Sequence, residues 1–322
     1  MNVLITGAGG MMGSHLAERL LLESAEVIAT FHQPTINMQT VDPAVTFEEL
    51  DVLDHDAVFT LIESRKPQEI YHLAAQSLPT VSWTDPWRTL RVNGEGTVNI
   101  FEAILRARKN DPSYNPMTVI ACSSAEYGAS LVPERVPVRE DAPLLPLHPY
   151  GVSKVAQDLL GHQYYYNHGL RCIRARIFNC TGPRKRNDVA SDFARGLVRA
   201  LKTGRSLKHG NLETHRAIID VRDMVDALIA LAREGRAGEA YNICADRAYR
   251  VSELLEMYFE LAGQRVATEL DPSLLRFSDE PIIFGDTTKI RTDTSWRPRW
   301  DLKQTLADML EFETRQYAEG TG

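Results

Sequence analysis

The chain has 322 residues, of which 43% are hydrophobic and 25% charged, proportions of an ordinary globular protein with length enough for two lobes. A net charge of −7 excludes a large basic face for nucleic acid, and no apolar run approaches the roughly 18–20 residues that cross a bilayer. Four cysteines (Cys122, Cys172, Cys180, Cys244) lie in or beside apolar stretches without metal-ligand spacing, so buried thiols are expected, with neither disulfides nor a metal site.

Asn2-Val3-Leu4-Ile5-Thr6 reads as a short buried strand. It runs into Gly7-Ala8-Gly9-Gly10-Met11-Met12-Gly13 and then a helical stretch ending near Leu22. Glycines at 7, 10 and 13 permit a tight turn, close approach of a pyrophosphate and close packing of helix on strand. The helix N-terminus adds amides and a positive dipole end. Gly7, Gly10, Met11, Met12 and Gly13 are therefore candidate dinucleotide contacts.

Further strands are expected at 27–31, 46–50, 69–73, 117–122 and 171–177, with helices at 56–64, 86–108 and 150–168. This alternation predicts right-handed crossovers and a parallel sheet covered on both faces. Beyond 178 the pattern loosens into helices at 189–201, 221–233, 251–262 and 302–317, with short strands at 217–220 and 240–244. The expected fold is α/β: a doubly wound parallel sheet from 1–178 and 213–244, with a smaller, discontinuous C-terminal lobe from 179–212 and 245–322. No basic region followed by an apolar one opens the chain, which points to a cytoplasmic protein without a membrane partner.

Tyr150 and Lys154 in His148-Pro149-Tyr150-Gly151-Val152-Ser153-Lys154 share one helix face at i and i+4. A nearby ammonium favours the phenolate, which makes the pair a candidate for proton transfer. Ser123 ends the strand at 117–122, at the carboxyl edge where ligands of such sheets bind. The second strand ends Ala29-Thr30-Phe31-His32 with no carboxylate for a ribose 2′-hydroxyl. That absence favours NADP, with NAD possible, and leaves Thr30 and His32 as candidates for a 2′-phosphate. Asp51, followed by Val52, suits either the adenine amino group or a cap before the next helix. Arg184-Lys185-Arg186 reads as a solvated loop or, for a phosphate-bearing substrate, as a clamp.

Taken together, Thr6–Gly13, Ser123 and Tyr150-x-x-x-Lys154 resemble the Rossmann-type extended short-chain dehydrogenase/reductase superfamily over nearly the whole length. His72-Leu73-Ala74-Ala75, Asn93-Gly94-Glu95-Gly96-Thr97 and Ser123-Ser124-Ala125-Glu126-Tyr127-Gly128 are similar to its other motifs. The segments 176–183, 210–223 and 275–281 look like the GDP-mannose 4,6-dehydratase and GDP-4-keto-6-deoxy-mannose reductase branch. Phe277 and Asp279 depart from it, standing where that branch has Pro and Glu. The resemblance implies that Tyr150 exchanges a proton with the sugar, Lys154 lowers the phenol's pKa and holds the nicotinamide ribose, and Ser123 hydrogen-bonds the reacting oxygen. It also implies cofactor contacts at Leu73, Ala74 and Ala75. Substrate contacts are implied at Ser124 and Asn179, at Arg216 and Arg276 for the diphosphate, and at Asp279 for a ribose hydroxyl.

Dehydratases of that branch carry a second acid/base, a Glu, at the position of Ala125. Alanine cannot move a proton. Glu126 points to the opposite face if the backbone there is extended. The expectation is an NADP-dependent reductase of a nucleotide-linked 4-keto-6-deoxy sugar, of the GDP-4-keto-6-deoxy-mannose to GDP-rhamnose type. A 4,6-dehydratase or epimerase of the same superfamily is the alternative. A cofactor-sensing binding protein is the reading from another class. Related enzymes dimerise through helices like those at 86–108 and 150–168, so a homodimer is expected by analogy.

Overall fold

The computed structural model describes residues 1–275 and 279–320. Seven parallel strands form one sheet: β1 (Asn2–Thr6), β2 (Glu26–Phe31), β3 (Phe47–Glu49), β4 (Glu69–His72), β5 (Met117–Ser123), β6 (Cys172–Ile177) and β7 (Ala240–Ile243). Their spatial order is β3-β2-β1-β4-β5-β6-β7. The interior strands β4 and β5 are buried at every position, as parallel strands covered on both faces must be.

The longer helices are α1 (Met11–Leu21), α2 (His55–Arg65), α3 (Gly96–Asn110), α4 (Pro149–His168), α5 (Val189–Thr203), α6 (Val221–Glu234), α7 (Val251–Ala262) and α8 (Leu302–Ala318). On one face Leu16 and Leu20 of α1 join Met224 and Leu228 of α6 in a core against the strands. On the other, Ile62, Phe101, Ile104 and Tyr164 bring α2, α3 and α4 together, with the Phe101 and Tyr164 rings stacked at 4.7 Å. Each such fully buried apolar side chain contributes roughly 1.5–3 kcal/mol. Because α1 and α3 leave β1 and β4 toward opposite faces, the strand order reverses between these two neighbours and opens a crevice at their carboxyl ends.

A separate core of Phe193, Leu197, Leu254, Tyr258 and Leu306 holds α5, α7 and α8 together. Ile290 and Trp296 lie in the stretch expected to join this lobe, yet they pack in the sheet's own core. Short pairings not expected from the sequence order the lobe's approach to the sheet: His215–Arg216 lies between Tyr249–Arg250 and Ile282–Ile283, and Leu207–His209 pairs with Thr268–Leu270. Two- and three-residue strands are too short for periodicity to reveal. No helix among the described residues is long and apolar enough to cross a membrane.

The single helix expected over 86–108 is instead a short helix (Pro86–Leu90), a π-helical turn (Arg91–Glu95) and α3. The wider turn directs Asn93 inward, where its amide oxygen accepts from Gln76 N at 2.8 Å and its nitrogen donates to Ser153 Oγ at 2.8 Å. Gly96 then passes Val52 so closely that a Cβ would lie 2.8 Å from Val52 Cγ2.

Candidate active site

Gly7 adopts φ +75°, and a Cβ there would lie 2.6 Å from Ala74 N, so only glycine lets the β1 turn pass the β4 turn. At Gly13 a Cβ would lie 2.5 Å from the Gly7 carbonyl oxygen. Leu73 N donates to Thr6 O at 3.1 Å and Ala74 N to Thr6 Oγ1 at 3.3 Å, which fixes residues 73–75 as the opposite wall of the crevice. No side chain caps the start of α1 and no acidic residue occupies its first turn. The amides of Met11, Met12 and Gly13 are thus offered to an anion, and a pyrophosphate fits this cradle. Met11 is buried, and Met12 is half-buried against the core.

At the end of β2 the candidates separate. Thr30 is buried and donates its hydroxyl to Ile5 O at 3.2 Å, inside the sheet. His32 lies at the surface with its ring nitrogens 3.9 Å from Glu49 and 3.7 Å from Asp51. Asp51 Oδ1 accepts from Leu53 N at 2.9 Å, a local turn contact, while its other oxygen faces His32. Val52 is buried, and its carbonyl accepts from Asn99 Nδ2 at 2.8 Å.

His148 and Pro149 start α4: the His148 ring nitrogen Nδ1 accepts from Gly151 N at 3.0 Å, and proline occupies the first turn. That start places Tyr150 near Ser123, whose hydroxyl favours the phenolate. Enclosure by protein pushes the phenol up to about 12, opposed by the Ser123 hydroxyl. Burial pushes Lys154 down to about 8, opposed by Cys122 and Glu126. The ammonium, expected to lower the phenol, instead donates at 2.7 Å to both Ala121 O and Gln157 Oε1, with its Nζ 5.8 Å from the Tyr150 ring centre. Two of its three protons are thereby committed, and one more can be donated.

Behind Lys154 runs a buried lattice that sequence reasoning missed. Gln157 Nε2 donates to Thr97 Oγ1 at 2.9 Å, and Thr97 Oγ1 donates to Asn93 O at 2.7 Å. His72 Nε2 lies 3.1 Å from Thr97 Oγ1, and His72 Nδ1 lies 2.8 Å from Thr6 Oγ1. Since Thr97 spends its proton on Asn93, His72 must donate from Nε2 and accept at Nδ1 from Thr6. Burial first, and then Lys154, push His72 down to about 3, which keeps it neutral. Every proton is assigned in one direction, so the lattice orients Lys154 rather than relaying protons. Gln157 sits at i+3 from Lys154, a spacing readable in the sequence.

The expectation of extended backbone at Glu126 is corrected. Ser124–Glu126 is a 3₁₀ turn with Ser123 as its cap, and Glu126 Oε1 accepts from Ser123 N at 2.8 Å. Glu126 is fully buried, its other oxygen 3.4 Å from Arg176 Nε. Burial, and then Asp158, hold its carboxyl well above the ordinary range. Asp158 in turn binds Arg174 Nη1 at 2.7 Å and Arg176 Nε at 2.9 Å. Cys122, Glu126 and Asp158 bring metal-ligand atom types within 4.8 Å of one another, but Arg174 and Arg176 occupy the Asp158 oxygens. All four cysteines are buried free thiols.

Ser124 is buried in the turn beside Ser123. Asn179 is half-buried, and its side-chain oxygen Oδ1 is enclosed without a hydrogen-bond partner. Arg216 and Asp279, expected to meet the substrate separately, meet each other: Arg216 Nη2 lies 2.5 Å from Asp279 Oδ1, and its Nη1 donates to Glu280 O at 2.9 Å. Arg276 lies outside the described residues. Arg184 is neither solvated nor free to clamp; it pairs with Glu18 and His15 of α1, anchoring the 182–186 turn.

The family model described as GDP-mannose 4,6 dehydratase matches residues 4–309. Over 317 residues the chain is 27% identical to GDP-6-deoxy-D-mannose reductase of Pseudomonas aeruginosa, covering 97% of each. It is 25% identical over 339 residues to UDP-glucose 4-epimerase of Lacticaseibacillus casei, covering 100% of this chain and 99% of that one. The solved structure of RMD from Pseudomonas aeruginosa complexed with NADPH matches with a TM-score of 0.82 at 27% identity, over 98% of this chain and 99% of that one. A family match along nearly the whole length, on a fold shared with these relatives, means that the chain belongs to the GDP-mannose 4,6 dehydratase family of extended short-chain dehydrogenase/reductases, enzymes of nucleotide sugars.

Proposed function

We propose that the chain is an NADP-dependent reductase of a nucleotide-linked 4-keto-6-deoxy sugar, GDP-linked and giving a GDP-rhamnose type of product. The carrying observation is the pair Ala125 and Glu126. The first has no proton to move, and the second is locked into a cap and a buried ion cluster, so the 4,6-elimination lacks its second acid/base. Ketone reduction requires one hydride and one proton. The bound nicotinamide supplies hydride to the ketone carbon. Tyr150 gives its phenolic proton to the ketone oxygen, which Ser123 holds by hydrogen bond, and solvent restores the proton. Lys154 places its remaining N–H at the nicotinamide ribose.

In this reading 1–178 and 213–244 carry the cofactor, and 179–212 and 245–322 carry the sugar nucleotide. Asn179, Arg216 and Arg276 meet the diphosphate, and Asp279 meets a ribose hydroxyl. Arg216 is then shared between Asp279 and phosphate oxygens. The active unit is a homodimer. Val152, Leu159 and Tyr166 recur every seven residues on α4 at 47%, 54% and 78% exposure, beside the exposed Trp87, an apolar face that suits a second copy. Light scattering checks this assembly: Leu159→Glu is expected to give monomers.

Incubation with NADPH and GDP-4-keto-6-deoxy-mannose, followed by the reduced-nicotinamide absorbance, tests the reaction. The expected result is one NADPH consumed per deoxysugar formed. Interconversion of a UDP-hexose with no NADPH loss would replace this reading by an epimerase. Conversion of GDP-mannose without added reductant would replace it by a dehydratase.

A further inference from the structure

A dinucleotide on this fold places its adenosine ribose at the end of the second strand, where an arginine accommodates a 2′-phosphate. β2 and the residues just after it hold no arginine. Thr30 has turned its hydroxyl into the sheet, and His32 faces the carboxylates of Glu49 and Asp51. The loop beyond folds back over the glycine turn. Thr35 N donates to Gly9 O at 2.9 Å, and Pro34 Cα lies 3.1 Å from where a Cβ on Gly9 would stand. Gln33 is thereby held beside the cradle, and its Oε1 accepts from Arg88 Nη2 at 2.6 Å.

Arg88 comes from the short helix Pro86–Leu90, which is fixed at its start by Asp85 Oδ1 accepting from Arg88 N at 3.0 Å. Thr89 ties the same helix to the crevice wall through Gln76 Oε1 at 3.2 Å. The Arg88 side chain is exposed and, among the described residues, has no carboxylate at ion-pair distance, whereas neighbouring Arg91 is paired with Glu95. Gln33 is neutral, so it orients the guanidinium without compensating its charge. An oriented, uncompensated guanidinium beside a dinucleotide cradle suits a phosphate dianion, which it meets through paired N–H donors.

We propose that Arg88 reads the 2′-phosphate of NADP, with Gln33 as the side chain that positions it. The assignment rests on the dinucleotide reading above and deepens it. The cation that sets cofactor choice reaches the end of β2 from a helix more than 50 residues downstream, so inspection of the strand end alone does not find it.

Equilibrium titration of the full chain with NADPH and NADH, followed by nucleotide fluorescence, tests the site. Adenosine 2′,5′-bisphosphate and AMP serve as fragments lacking the nicotinamide. Wild type is expected to bind NADPH at least about 10-fold more tightly than NADH, a preference that shrinks with added salt. Arg88→Met is expected to weaken NADPH and the bisphosphate by about 10–100-fold while NADH and AMP stay within about 2-fold, and Arg88→Lys to retain part of the preference. An equal loss for all four ligands, or an unchanged NADPH affinity in Arg88→Met, overturns the site. Preference of the wild type for NADH overturns it too but leaves the dinucleotide cradle standing. Failure of the wild type to bind either dinucleotide overturns the cradle itself.

Discussion

Lys154 lies one helical turn beyond Tyr150, yet its ammonium is bound to the Ala121 carbonyl and the Gln157 amide, not to the phenol. The two side chains share a face, and their protons are governed separately. Tyr150 is set by enclosure and by Ser123, and Lys154 by burial and by its two acceptors.

The pH dependence follows from that separation. Burial lowers Lys154 from its ordinary value of 10.5 to about 8, so its charge is lost as pH rises through about 8. The value of kcat/KM for ketone reduction is expected to be flat below that pH and to fall above it. Between about 8 and 10.5 the unfolded chain binds the extra proton, so this group's effect on stability grows more favourable as pH rises across the window. A profile of kcat/KM against pH checks the first statement, and denaturant midpoints across the same range check the second.

Gln157 is a positioning residue. Gln157→Leu removes an acceptor that favours the ammonium, and the alkaline break in kcat/KM is expected to move to lower pH. Gln157→Glu places a carboxylate there and is expected to move the break upward. A purely structural role would lower the rate in both variants and leave the break in place.

The buried ion cluster predicts unequal effects from two similar substitutions. Asp158→Asn leaves Arg174 and Arg176 without their shared carboxylate and is expected to cost about 3–5 kcal/mol in urea unfolding. Glu126→Gln replaces a carboxyl whose pKa burial has raised, keeps the acceptor for Ser123 N, and is expected to cost less than about 1 kcal/mol. Glu126→Gln is also expected to keep the turnover of the proposed reductase, because the proposed proton path does not run through Glu126.

Much of this site was readable because its parts are local. The glycine turn, the Tyr150–Lys154 spacing and the alternation of strands and helices each occupy one short segment. Ser123-x-x-Glu126 was readable as well, since Ser followed three residues later by Glu is the signature of a capping box; an assumption of extended backbone obscured it. The lattice from Lys154 through Gln157 and Thr97 to His72 joins three helical and strand segments, and Arg88 reaches Gln33 across the crevice. Such contacts depend on which elements the sheet order makes neighbours, and local periodicity carries no information about that. The pairing of Arg216 with Asp279 belongs to the same group: 63 residues separate the two, and neither segment shows that the other is its neighbour.

Replacement of Tyr150 by Phe, with turnover and NADPH affinity measured on the same protein, tests the central claim most directly. Loss of about 10²–10⁴-fold in kcat with NADPH affinity unchanged is the expected result. Reduction of the keto sugar at the wild-type rate by Tyr150→Phe would contradict the account, because the proton would then come from another group.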